Sequence, residues 1–89
     1  MDLQEALALV DVASNAEARD ETLVEAMRFL RDYGVPRQAL VWFWEVLAWS
    51  EKDWTQRNAK AANLVAARNR IRHLLSEVER WKQKRPRRS

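Results

Sequence analysis

In this 89-residue chain, Val35-Pro-Arg-Gln-Ala-Leu-Val-Trp-Phe-Trp-Glu-Val-Leu-Ala-Trp49 leaves almost no polar surface on a helical wheel. At about 100° per residue, Leu40, Phe43 and Leu47 define one helical face, flanked by Ala39 and Trp44, and Gln38 and Glu45 mark a narrow polar stripe opposite. A helix that is apolar nearly all round is buried on most sides, so the segment predicts a central helix with others packed about it. Pro36 suits a first helical turn, where a missing amide proton costs nothing, and Gly34 is the residue type that ends a preceding helix in a left-handed conformation. A sharp corner is therefore expected at Gly34. Trp42 and Trp49, seven residues apart, fall on the side of the polar stripe, so they are the aromatics whose burial in the chain's own core the spacing least requires; the alternative is that they simply fill a small core.

On the amino-terminal side of this stretch, Asp2 with Glu5 forms a capping-box pattern for a first helix ending near Ser14, with Leu3, Leu7 and Val10 on one face. Asp20 is a cap for a second helix in which Leu23, Met27 and Leu30, with Phe29 and Tyr33 beside them, face inward up to Gly34. On the carboxyl-terminal side, Ser50 with Asp53 reads as a variant capping box, and no Gly or Pro follows until Pro86. One helix from Glu51 to about Lys84 is predicted, roughly 50 Å long, with part overhanging the bundle. Its apolar face moves along its length: Trp54, Ala61 and Val65 share one side, whereas Leu64, Ala67, Ile71, Leu74, Val78 and Trp81 form a heptad seam on another. Either a kink near Ala66 to Asn69 returns both faces to one core, or a second copy or another protein covers the seam.

The composition agrees with an all-α fold: 47% of residues are apolar, 33% are charged, and there are one Gly and two Pro. A single helical domain over residues 1–84 with a basic tail over 85–89 is expected. The chain has no cysteine, so disulfides and thiolate sites are excluded. No run reaches the roughly 18 apolar residues of a membrane span, and the first residues are acidic where a signal peptide is basic; the expectation is a cytoplasmic protein with no membrane partner.

Charge is distributed unevenly. Residues 1–50 hold nine acids and four bases, a net −5, while residues 51–89 hold four acids and twelve bases, a net +8. A half that basic attracts polyanions or an acidic protein surface.

Around the corner, Phe29, Leu30, Tyr33, Gly34, Val35, Pro36, Arg37, Gln38, Ala39, Leu40 and Phe43 resemble the helix-turn-helix signature of bacterial and phage regulators over about Asp20 to Ser50. That resemblance implies that Arg37 and Gln38, opening the second helix, face DNA bases. The chain departs from the pattern at Leu30, where the signature has a small residue, and at Val41 and Trp42 on the outward face. The alternative is an αα-corner of similar geometry. Asn63, Ala66, Ala67 and Arg68, followed by Arg70 and Arg72, are similar to the basic region of leucine-zipper factors, in which alanines let a helix sit close in the major groove. Independently of either likeness, Arg57, Lys60, Arg68, Arg70 and Arg72 on one helix are candidates for phosphate contacts, and Arg85, Arg87 and Arg88 form an arm that adds nonspecific affinity.

The leading expectation is thus a nucleic-acid-associated protein, binding DNA or RNA. The alternative is a helical protein-interaction module, a subunit of a larger complex or a phage or plasmid inhibitor of a host factor, in which Trp42, Trp49, Ile71, Leu74, Val78 and Trp81 meet the partner; Trp and Arg are common at interface hot spots, and the chain has five Trp. Catalysis is not expected. His73, the single histidine, stands among arginines with no acidic or hydroxyl partner in its own turn except Ser76, and the sequence has no phosphate-binding glycine loop, paired inward carboxylates or metal-ligand cluster. No cofactor or metal is implied.

Overall fold

The computed structural model describes residues 1–16 and 21–84. Among these, the chain forms an all-α bundle of four helices: α1, Leu3–Ala16; α2, Glu21–Tyr33; α3, Arg37–Leu47; and α4, Trp54–Lys84. α1 packs chiefly on α2 and α3 chiefly on α4, and α1 also meets α4, so the two helix pairs close around one core.

α1 begins as its sequence predicts. The Asp2 Oδ1 accepts the Glu5 amide at 2.8 Å, satisfying one of the amides that a helix start leaves without an intrahelical partner. Ala6, Val10 and Ala13, at i, i+4 and i+7, are its buried stripe, with Leu3, Leu7 and Leu9 packed at the edges. In α2 the stripe is Leu23, Ala26, Met27 and Leu30. The alanines on both stripes let the two helices approach closely. The predicted cap of α2, Asp20, lies outside the described residues.

α2 ends in a Schellman motif. The Val35 amide donates to the Leu30 carbonyl at 3.0 Å and the Gly34 amide to the Arg31 carbonyl at 3.1 Å, while Gly34 takes φ 132°, a region that side chains disfavour. Leu30 and Val35 are both buried, giving the motif its usual hydrophobic closure. The central helix is shorter than the sequence suggests. Pro36 is its N-cap residue, Val35 belongs to the corner, and Ala48 and Trp49 close it with amide bonds back to Glu45 and Val46. Leu40, Phe43 and Leu47 are buried as the spacing predicts, with Ala39, and Val46 joins them. Fully burying side chains such as Phe43, Leu30, Leu64 and Ile71 contributes about 1.5–3 kcal/mol each.

α4 starts three residues later than expected, because Asp53 caps it: its Oδ1 accepts the Gln56 amide at 2.7 Å. Ser50 instead holds the connection, accepting the Lys52 amide at 3.3 Å. The moving apolar face is also corrected. One stripe, Lys60, Leu64, Ala67, Ile71 and Leu75, packs against the bundle, and Trp54, Ala61 and Val65 are exposed. Trp54 to Ala59 carry no buried residue, so the helix start projects beyond the core, in a molecule whose longest extent is 57 Å.

Candidate nucleic-acid interface

The basic helix is the feature to which both the charge asymmetry and the zipper-like pattern point. From Trp54 to Ser76, about 35 Å of helix, α4 contains five bases and no Asp or Glu. The core takes one side of it. The opposite strip consists of Asn58, Ala62, Val65, Ala66, Asn69, His73 and Ser76, all exposed and mostly short. Arg70 and Arg72 are separated by about 200° of helical rotation, which puts one on each flank of that strip. Arg68 lies on the Arg72 flank and Arg57 on the exposed amino-terminal projection.

The five bases are not equivalent. Lys60 is 4% exposed and its Nζ lies 3.2 Å from Glu51 Oε2, so it belongs to the packed face and is removed from the phosphate-contact set. Its aliphatic stem is buried while the ammonium reaches the carboxylate. Arg72 is ion-paired with Asp11 of α1 and remains about half exposed. Arg68 is half-buried, with Nη2 donating to Asn69 Oδ1 at 3.3 Å. Arg57 and Arg70 are exposed. Arg85, Arg87 and Arg88 lie outside the described residues.

The likeness to a zipper basic region holds only in part. Ala67 is completely buried and Asn63 donates to the Ala59 carbonyl of its own helix at 2.8 Å, so neither is presented to a groove; Ala66 is exposed. At the other candidate element, Arg37 and Gln38 are exposed on the first turn of α3, with Val41, Trp42 and Glu45 beside them.

The predicted partner seam is mostly internal. Ile71 is 0% exposed and sits in the chain's own core, Leu74 packs against that core, and Val78 closes on Gly34. Trp81 is 59% exposed, and Trp42 and Trp49 are also exposed. His73 has a neighbour that the sequence reading missed, Glu77 at i+4, with Nε2 3.3 Å from Oε1. Among the described residues, no group of three or more His, Asp or Glu side chains converges as metal ligands, and no helix is long and apolar enough to cross a membrane.

Comparison with protein-family models, with curated proteins and with solved structures finds no match to this chain.

Proposed function

We propose that the protein binds nucleic acid by laying the outer strip of α4 into a groove of the duplex. The observation that supports this most directly is the position of Arg70 and Arg72 on opposite flanks of a strip of short side chains. A helix in a major groove has a phosphate backbone on either side of it, and short residues on its inner face allow the close approach that brings both backbones within reach. Arg57, Arg68, Arg70 and Arg72 position the backbone, Asn58 and Asn69 face the base edges, and Arg85, Arg87 and Arg88 add charge beyond the helix. Arg37 and Gln38 on α3 form a separate, smaller contact set. The groove width favours B-form DNA over A-form RNA, whose major groove is too narrow for a helix.

Fluorescence anisotropy with a labelled duplex across a salt series tests the reading. Affinity should fall steeply with salt, with a log–log slope near −0.9 per phosphate neutralised. Ala62→Glu with Arg70→Glu should abolish binding while circular dichroism keeps its helical signal, since both residues are exposed; unchanged binding rejects the proposal.

A further inference from the structure

α2 and α3 diverge from the Gly34 corner and make few contacts beyond it. Between them opens a groove of about 420 Å³ whose floor is Val24, Met27, Leu40, Val41 and Trp44. Arg28, Arg31 and Arg37, all exposed, stand along it, and among the described residues Glu45 is the one acid in its lining. A second depression of about 300 Å³ shares Arg37, Val41 and Glu45 and continues past Trp42 on the outward side of α3. We propose that this groove docks an amphipathic helix of another protein, with an apolar ridge on the floor and Asp or Glu side chains facing Arg28, Arg31 and Arg37.

The chemistry of the lining selects the partner. Three guanidinium groups against one carboxylate call for an anionic occupant, and the apolar floor between them gives a hydrated phosphodiester backbone nothing to contact. An occupant with both apolar and acidic side chains satisfies both parts. The geometry favours a helix, because the walls are themselves two helices and a third packs its ridge into such a groove, anchoring at i, i+3 or i+4, and i+7. From Arg37 to Glu45 the floor runs about 12 Å along α3, two turns of an incoming helix. On α2, Val24, Arg28 and Arg31 repeat at i, i+4 and i+7, so one flank supplies both floor and charge. None of these residues is on the outer strip of α4, so the groove stands independently of nucleic-acid binding by that helix; Arg37 alone is shared with the smaller contact set proposed on α3.

The test uses the full chain and three synthetic helical peptides of about 14 residues, roughly four turns, with Leu at the anchor spacing and Glu, Gln or Lys on the flanking positions. Isotope-labelled protein is titrated with each and its amide and side-chain resonances followed. The Glu peptide should shift Val24, Met27, Leu40, Val41 and Trp44 and saturate, binding at least roughly tenfold more tightly than the Gln peptide, with the Lys peptide weaker still. In R28E/R31E/R37E the order of the Glu and Lys peptides should reverse, a gain that a merely misfolded variant does not produce. Equal binding of the three peptides, shifts outside the groove, or groove shifts that appear on concentrating the protein alone each overturn the proposal, the last assigning the groove to a second copy. Groove shifts produced by duplex DNA or by anionic phospholipid vesicles, with none from the Glu peptide, overturn it likewise. Arg57→Glu with Arg70→Glu should leave Glu-peptide binding intact, which separates this site from the α4 surface.

Discussion

Lys60 and Glu51 join across the start of α4, with Nζ 3.2 Å from Oε2, and the lysine side chain is 5% exposed against 33% for the glutamate. A cation thus occupies a position on the packed stripe, one turn before Leu64. Taking an ammonium out of water costs several kcal/mol, and a buried ion pair is often matched by well-packed apolar side chains of similar volume, so an apolar chain of similar length is expected to do as well there. Lys60→Met should leave stability unchanged or raise it by up to about 2 kcal/mol, whereas Lys60→Glu, placing like charges together, should lower it by about 3 kcal/mol or more. Thermal unfolding followed by circular dichroism measures both, at roughly 4–8 °C per kcal/mol for a domain this small. Lys60→Met should also leave duplex affinity unaltered.

Gly34 is the second sensitive position. Its φ of 132° is disfavoured for residues with a side chain, and a Cβ there would lie 2.8 Å from Val78 Cγ1. Conformational strain and the clash add, so Gly34→Ala should destabilise by about 2–4 kcal/mol. Gly34→Ala combined with Val78→Ala relieves the clash and leaves the strain. The double variant should therefore lose less than the sum of the two single losses in urea denaturation; strict additivity shows that the Cβ and Val78 do not meet.

The two positions fall on either side of what local pattern can tell. Leu40, Phe43 and Leu47 are readable as core because a wheel needs only their spacing, and Gly34 because one residue type dominates its backbone conformation. Lys60 was misread because its partner precedes it by nine residues across a turn, a relation no single-helix projection contains. The α4 stripe misleads for a subtler reason. A heptad reading selects Leu74, but a helix packed without supercoiling keeps nearer 3.6 residues per turn, so the stripe advances from Leu64, Ala67 and Ile71 to Leu75. The α2/α3 groove was invisible in the sequence: Arg28, Arg31 and Trp44 converge only once the corner sets the angle between the helices.

Capping supplies a cleaner local test. Asp53 Oδ1 receives the Gln56 amide at 2.7 Å, while Ser50 serves only the connection. Asp53→Ala should lower stability by about 1 kcal/mol and Ser50→Ala by a few tenths. Amide hydrogen exchange should show the Asp53 variant opening first over Trp54 to Ala59, where no side chain is buried. Equal losses from the two substitutions contradict the assigned start of α4.

Asp11 offers the sharpest separation of stability from binding. It pairs with Arg72, and with the Asp11 and Arg72 side chains about 37% and 45% exposed the pair is largely screened by solvent, so breaking it should cost no more than about 1 kcal/mol. Its effect on a polyanion is of the opposite sign. Asp11 draws one flanking arginine toward α1 and adds a negative charge near the strip, so Asp11→Asn releases the guanidinium and removes the repulsion together. Duplex affinity should rise by roughly threefold to tenfold at low salt, and the log–log salt slope should steepen by up to about 0.9, one further phosphate contact. The gain should vanish in Asp11→Asn with Arg72→Gln. A variant that is slightly less stable yet binds more tightly, and only while Arg72 is present, cannot be explained by altered folding. Unchanged affinity in Asp11→Asn means that Arg72 does not face the nucleic acid, and the two-flank arrangement of α4 then fails as the mode of binding.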